Sequence, residues 1–525
     1  MLFALEEETI LIPELKAIYL SSSIEAPPPS LGIQIAADLE IPGDRKELEN
    51  RLKAYLGNPI RKSLIVDIKR EVIAYFRNEH YPFATVQIPE QEISEGCLHF
   101  VLIQSLLGEV NVFGNCYFSS KRFQDAIGLC PGDAINEKMI LNSANFLNRN
   151  PYHQVDLIYS QGDSKNTTDL DLIVTDHFPL SVYGGVDNTG LKHIDRTRIY
   201  GGFTWGNVFG LDQILTVQYS MAPSIHKFFS ITASYIVPMP FQHLLNLYGG
   251  YSQVHVRIPS SSKTKGYGSQ GSLRYIVPLP ATPTILHECF AGFDLKRYNN
   301  TVEFVESSPV FGQTVNLTQF LAGYNFGFEK GCHKLGFDLQ LVFSPFQWIP
   351  DQSNADFESL NPFARHTYVY GRAAVNYKTM LPGKWLWTLY ASGQLANRTL
   401  LPSEQFGIGG YNTVRGYEER QLNGDDAILV KTEILTPKMK FQLQRGCKNI
   451  DYIFEFLGFL DYGYAHDLHA FKSEKKNEYL LGIGPGFRFS FGHYLLARLD
   501  WGIKLHHGPF PGGWSMVHFG VTGSF

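Results

Sequence analysis

Apolar and polar residues alternate with period two through most of the C-terminal two-thirds of the chain. In Leu495 to Leu505 the odd positions Leu495, Ala497, Leu499, Trp501, Ile503 and Leu505 are apolar, whereas the even positions include Arg498, Asp500 and Lys504. The last segment repeats the pattern, with Val517, Phe519, Val521 and Phe525 on one side and His518, Thr522 and Ser524 on the other. About sixteen segments of strand length can be marked after Phe178. A soluble sandwich alternates too, so the connections must decide. Short turns (Val237-Pro-Met-Pro, Val277-Pro-Leu-Pro, Leu381-Pro-Gly, Phe491-Gly-His) are separated by long polar stretches near 300–314, 346–365, 397–425 and 466–477. Alternation of short and long connections is the mark of an up-and-down barrel crossing a membrane, and an even strand number closes the sheet and removes its edges. The near repeat Tyr235-Ile-Val-Pro-Met-Pro and Tyr275-Ile-Val-Pro-Leu-Pro marks one hairpin period.

The first 177 residues have a different rhythm. Leu15 to Ser21 predicts a strand, a Pro-rich stretch (Pro27, Pro28, Pro29) predicts a loop, and helices are predicted over Glu47 to Leu56 and Ser63 to Phe76, the second capped by Ser63. Strands are expected at Phe83 to Pro89 and Leu98 to Gln104. The same β-α-α-β-β order then recurs as strand Glu109 to Phe113, helices Ser119 to Ile127 and Asn136 to Leu147, and strands Tyr152 to Tyr159 and Asp169 to Thr175. Two copies of one small unit in tandem are predicted. The expected divisions are an N-terminal segment 1–13, repeats at 14–106 and 107–177, and a barrel at 178–525 whose loop 397–425 folds inward.

Composition sharpens this reading. No run of about 20 apolar residues exists, which excludes helical membrane spans. Charged residues are only 18% against a usual ~25%, while aromatics reach 14% and glycine 48 of the 525 residues, a balance that suits a membrane barrel. A net charge of −5 supplies no basic field for nucleic acid. The six cysteines (97, 116, 130, 289, 332, 447) have no metal-site spacing and are read as unpaired; no metal or cofactor is expected. The N-terminus lacks the basic and apolar regions of a secretory signal, so the numbering is expected to begin after a removed signal or at a trimmed start.

Candidate chemistry lies in two places. The stretch Gly409-Gly410-Tyr411-Asn412-Thr413-Val414-Arg415-Gly416-Tyr417 carries an arginine at a loop tip. On the strand near 458, Ile453, Glu455, Leu457, Phe459 and Asp461 share the face opposite Tyr452, Phe454, Phe456, Leu460 and Tyr462, so Asp461 is expected inside the lumen, where it can receive a guanidinium through two parallel hydrogen bonds. Glu433 also points inward by alternation, with Lys431 two positions before it on the same face. No GxSxG, HExxH or P-loop pattern occurs. His466-Asp-Leu-His469 reads as part of a polar loop and Gly482-Ile-Gly-Pro-Gly486 as small residues within a strand, so no catalytic set is expected.

Val414-Arg415-Gly416-Tyr417 followed by Phe459-x-Asp461-x-Gly463 resembles the paired signature of the outer-membrane superfamily that joins periplasmic polypeptide-transport-associated (POTRA) domains to a barrel. Tyr81-Pro-Phe-Ala-Thr-Val-Gln-Ile-Pro-Glu-Gln-Glu-Ile-Ser-Glu-Gly96, Gly108-Glu-Val-Asn-Val-Phe-Gly-Asn115 and Leu147-Asn-Arg-Asn-Pro-Tyr-His-Gln-Val155 resemble, within it, the two-partner secretion transporters of the haemolysin secretion/activation family. Val186-Asp-Asn-Thr-Gly190 with Trp205-Gly-Asn-Val-Phe-Gly-Leu-Asp212 is similar to that family's first barrel strands. The resemblance covers the chain from about residue 14 to Phe525. It implies a Gram-negative outer-membrane translocator, not an enzyme, that captures an unfolded secreted partner (adhesin or haemolysin type, with an N-terminal secretion domain) on its periplasmic POTRA domains and exports it through the pore. It also implies a lipid bilayer around the barrel and insertion by the barrel-assembly machinery, with Phe525 as the C-terminal signal. An assembly factor or insertase is the alternative. Family members usually begin with a plug helix, for which only about a dozen residues precede Leu15; the plug is expected to be truncated or absent. Capture by strand addition is expected at the edge strand of the second repeat, through Tyr152, Val155, Asp156 and Ile158. The lumen set is Val414, Arg415, Gly416, Tyr417, Asp461, Gly463 and Glu433.

Overall fold

The computed structural model describes residues 9–25, 31–257, 263–282, 284–302, 311–445, 448–469, 475–507 and 512–525. The chain divides into two compact units, Met1–His177 and Phe178–Phe525.

The first unit holds two small α+β layers. The first layer contains β1 (Ala17–Ser21), β2 (Gly32–Ile35), α1 (Arg45–Lys53), α2 (Lys62–Asn78), β3 (Ala84–Gln87) and β4 (Cys97–Gln104), with sheet order β2-β1-β4-β3. β2 was not anticipated. It pairs in parallel with β1 just after the proline run, whose residues 26–30 lie outside the described ones. Ser63 does not cap α2 as predicted: the helix starts at Lys62 with Arg61 in the cap position and no side-chain cap bond there. A lost cap costs about 1 kcal/mol. Burial of Ile68, Val72 and Phe76 against the sheet contributes about 2 kcal/mol for each side chain, so packing fixes this helix without the cap.

The second layer contains β5 (Leu106–Phe113), α3 (Ser120–Ala126), α4 (Glu137–Leu147), β6 (His153–Gln161) and β7 (Thr167–Asp176), in sheet order β5-β7-β6. Asn136 caps α4 through the Met139 N–H, and Ile140, Ala144 and Leu147 form its buried stripe. β5 and β6 therefore flank β7 as the two edges of this sheet. β6 is the antiparallel edge, and the Tyr152 carbonyl accepts from the His177 N–H at 2.9 Å while the Gly162 N–H donates to Thr167 at 3.0 Å. Period two between these two bonds directs the backbone groups of Gln154, Asp156, Ile158 and Ser160 toward β7, and those of Val155, Leu157 and Tyr159 toward the open side. Asp156 and Ile158 thus supply ladder groups, not edge groups. Tyr152 and Val155 place their side chains in the core, and the Asn148 side chain binds both the N–H (2.7 Å) and the carbonyl (3.0 Å) of Val155.

The second unit is a closed antiparallel barrel running from Leu180–Asp187 to Ser515–Ser524. Seventeen paired segments form sixteen strands, because Asp426–Leu435 and Met439–Arg445 pair with successive halves of Lys448–His466 and so make one strand. Parity follows the sequence: Leu499, Trp501, Val517, Phe519 and Val521 are exposed on the outside while Asp500 and His518 are buried inside. The connection 222–227 departs from the expected alternation, since it lies on the long-loop side yet is as short as a turn; residues 258–262 lie outside the described ones. Inside the barrel a short helix, α5 (Asn354–Leu360), carries a Ser353–Asp356 capping box and packs Phe357 and Leu360 against Val315, Leu317 and Leu401.

One carboxylate ties the second layer of the first unit together. A single Asp176 oxygen accepts the backbone N–H groups of Cys116 (2.8 Å), Tyr117 (2.7 Å) and Phe118 (3.2 Å), fixing the end of β7 to the turn before α3. Asp176→Ala should lower local stability by about 1.5 kcal/mol and accelerate exchange of those three amides roughly tenfold. Hydrogen exchange on the whole chain would check this; unchanged protection would deny the carboxylate that role.

Candidate functional site

Between Trp385–Ala396 and Asp426–Leu435 the chain leaves the wall and returns into the lumen, forming a hairpin of Phe406–Ile408 with Leu422–Gly424. Its tip carries Val414, Arg415, Gly416 and Tyr417, all buried. Val414 and Tyr417 join Ile408, Leu422, Ala427, Leu429, Ala465 and Leu480 in one apolar cluster, which supplies the non-directional attraction between loop and wall. Gly416 has φ +96, which an L side chain rarely adopts. Gly463, Gly482 and Gly502 present bare backbone where the tip lies down. A Cβ on Gly463 would overlap Ile408 and Val414, one on Gly482 would overlap the Arg415 carbonyl, and one on Gly502 would overlap the Gly416 backbone. Gly482 and Gly502 thus do more than relieve crowding within the sheet: they set how closely the loop approaches.

Arg415 is 1% exposed and fully engaged. Its Nε donates to Asp461 Oδ2 at 2.7 Å and its Nη2 to Asp461 Oδ1 at 2.8 Å, the two-point contact that matches a planar guanidinium to a carboxylate. Nη1 donates to Glu433 Oε1 at 2.6 Å, and Asp500 lies 3.7 Å from the same nitrogen. The guanidinium carbon stands 3.6 Å from the centre of the Phe459 ring, so one face of the cation meets a π surface. The Arg415 backbone N–H also reaches Asp461, at 3.1 Å. Glu433, Asp461 and Asp500 come from three different strands. Arg488 shares the load on Asp500, at 2.8 and 3.0 Å, and Lys431 Nζ holds the Tyr411 and Asn412 carbonyls at 3.3 and 3.1 Å.

All seven lumen residues named from the sequence meet at this point. Sequence reasoning missed Asp500, Phe459 as a ring partner, and His518, whose Nε2 accepts the Gly416 N–H at 3.0 Å. The signal for Asp500 and His518 was present, since each is an inward position in an alternating strand. A second buried group, at the root of the loop, was also missed. Glu404 receives Lys296 Nζ at 2.7 Å and the Tyr370 hydroxyl at 2.8 Å, and Arg372 donates to its carbonyl. His466 and His469 bind different partners, Asn477 and Thr399. Among the described residues no cluster of His, Cys, Asp and Glu could hold a metal ion, and Cys97, Cys116, Cys130, Cys289 and Cys332 form no disulfide; Cys447 lies outside the described residues.

Residues 166–489 match the family described as Haemolysin secretion/activation protein ShlB/FhaC/HecB. The chain belongs to this family. It is a two-partner secretion transporter of the outer membrane, and the family's work is transport, not catalysis. The Heme/hemopexin transporter protein HuxB of Haemophilus influenzae (strain 86-028NP) is 22% identical over 462 residues, 85% of this chain and 78% of that protein. The Outer membrane transporter CdiB of Dickeya dadantii (strain 3937) is 23% identical over 397 residues, 72% of this chain and 67% of that one. Among solved structures, CdiB from Escherichia coli has a TM-score of 0.80 at 16% identity, covering 100% of this chain and 92% of the other. CdiB from Acinetobacter baumannii gives 0.69 at 18%, covering 98% and 90%. These likenesses show the shared fold.

Removing one side of a buried charge pair leaves the other uncompensated, at about 3 kcal/mol or more. Arg415→Ala should therefore release the loop and reduce secretion, with the barrel still inserted and heat-modifiable on a gel. Gly482→Val should release it equally, although no charge is lost, because the new side chain occupies the place of the Arg415 carbonyl. Protease accessibility of residues 409–417 would report both; a loop still protected in the glycine variant would contradict the seating described.

Proposed function

We propose that the two layers of the first unit are POTRA domains, at about 14–106 and 107–177, and that the second of them captures an unfolded stretch of a secreted partner for export through the barrel lumen. Family membership supports export of a partner protein over the assembly-factor reading. The observation that carries the capture reading is the open side of β6. There the backbone N–H and carbonyl groups of Leu157 and Tyr159 point away from β7, and α4, which packs beside β6, leaves Met139 and Leu141 exposed. An extended polypeptide gains main-chain hydrogen bonds from such an edge with little demand on sequence, as a transporter of long unfolded chains requires. The Asn148 clip occupies the rung at Val155, which blunts the edge against self-association and leaves the later rungs for the substrate. In this reading Asp156 and Ile158 support the edge from within the ladder, and the exposed Ile158 side chain lies on the opposite face of the sheet from the core. The inward loop, held by Arg415, occupies lumen space that a passing chain needs, so it either moves or lines the path. Exposure of the Phe525 ring suits recognition by the barrel-assembly machinery during insertion.

Proline at an outward-facing edge position removes a free donor and leaves the ladder intact, whereas proline at a ladder position breaks it. Leu157→Pro should weaken binding of the partner's secretion domain to the whole transporter in nanodiscs by about tenfold or more and leave the fold unchanged. Asp156→Pro should unfold the second layer itself, seen as loss of amide protection through β6 and β7. Unchanged affinity in the folded Leu157→Pro protein would reject this edge as the docking site.

A further inference from the structure

The wall of the barrel is closed by the pairing of the first strand, Leu180–Asp187, with the last, Ser515–Ser524. That seam is short. Its register runs only from Tyr183↔Ser524 to Asp187↔Gly520, with reciprocal Val182–Phe525 backbone bonds of 2.9 Å at one end. At the other end the Asn188 backbone N–H still donates to the Phe519 carbonyl at 3.3 Å, and from there the Asn188 side chain continues the ladder. Asn188 donates through its amide to the Val517 carbonyl at 2.7 Å and accepts the Phe519 N–H at 2.9 Å.

A row of three residues crosses this seam. Arg498 on the penultimate strand is opposite Gly520 on the last, and Gly520 is opposite Asp187 on the first. The Arg498 side chain lies over Gly520: a Cβ there would sit 2.7 Å from Arg498 Nε. Its Nη2 extends to 3.7 Å from Asp187 Oδ2. From above, the Tyr411 ring of the inward loop covers the same guanidinium, 3.6 Å from ring centre to Cζ. The loop adds two further fastenings beside the row. His518 of the last strand holds the Gly416 N–H, and Glu418 is gripped at both oxygens by Arg196, which belongs to the connection following the first strand. Contacts from one loop thus land on both sides of the seam.

We propose that Arg498 is a positioning residue that spans the last strand to reach the first, and that the inward loop, pressing on it through Tyr411, works as a clasp holding the barrel wall shut. Gly520 is part of the device, because its missing side chain is the path the arginine takes. An open seam would let a translocating chain escape sideways into lipid, and a closed one confines it to the lumen. This inference does not depend on where the partner docks.

The decisive substitution is Gly520→Ala. By strand propensity alone, alanine in place of glycine stiffens and stabilises a strand. The clasp predicts the opposite at the seam, since the added methyl group pushes Arg498 away from Asp187. Hydrogen exchange on the whole transporter in nanodiscs, without any secreted partner, reads both effects. In Gly520→Ala, Asp187→Asn and Tyr411→Ala, amides of Tyr183–Asp187 and Gly520–Ser524 should exchange at least fivefold faster, while those of the distant strands Leu244–Arg257 and Lys263–Pro278 stay unchanged. Slower or unchanged seam exchange in Gly520→Ala would overturn the proposal. So would faster exchange spread evenly around the barrel, which would make these residues general stabilisers. Because Asp187→Asn and Tyr411→Ala alter neither the strand backbone nor Gly520, they keep the test intact if Gly520→Ala does not fold; no seam effect in either would also overturn it.

Discussion

A guanidinium buried inside a protein is tolerable only where anions and acceptors already wait for it, and the lumen of this barrel is arranged around that requirement. Asp461, Glu433 and Asp500 are placed by strand parity, one from each of three strands, so that their carboxylates converge where no single strand could bring them. Arg415 completes the set from a loop that must bend back to deliver it. The glycines below the tip and the apolar cluster around Val414 and Tyr417 then make sense as conditions for that delivery: a cation carried on a backbone needs the backbone to come close. The Phe459 ring closes the remaining face. A fault in any one of these elements leaves charge without compensation, which is why a loop belonging by length and polarity to the outside is held within.

The same logic separates what could be read from the chain from what could not. Arg415, Asp461 and Glu433 were legible because alternation assigns a face to each strand residue and because a paired signature linked the first two. Asp500 and His518 obey the same alternation, yet many inward positions do so, and only closure of the barrel shows which of them stand beside the loop. In the first unit the helices and most strands were legible from period and caps. β2 was not, being four residues adjoining a proline run, too short to show a period. The outward-facing edge groups were not legible for a different reason. Tyr152 and Val155 lie at an edge strand, but an edge is a property of backbone groups, and side-chain parity runs perpendicular to it. Which amides point outward depends on the neighbouring strand, and that information lies in residues 167–177, not in β6 itself.

The membership of the secretion family rests on residues 166–489, which take in most of the barrel and its inward loop. The role of the small domains rests on one strand with its open side, beside one helix with two exposed apolar side chains. A domain that captures successive stretches of one unfolded partner would have reason to keep recognition in the main chain, which looks alike along the whole substrate, and to leave specificity to few contacts.

The seam has a further meaning for how such a molecule comes into being. Every other strand pair in the barrel joins neighbours along the chain, so the sheet can grow by successive hairpins, the longest of whose loops, 397–425, has 29 residues. The first and last strands meet across a separation of 331 residues between Asn188 and Phe519. Bringing such distant ends together carries an entropic cost of about 5 kcal/mol, against about 2 for a loop of a dozen residues. Closure is therefore the slow and final event, and until it happens the growing sheet carries two unpaired borders. A curved sheet in that state invites the edge of another chain as readily as its own, so the birth of this barrel calls for a chaperoned interval that its mature form no longer needs.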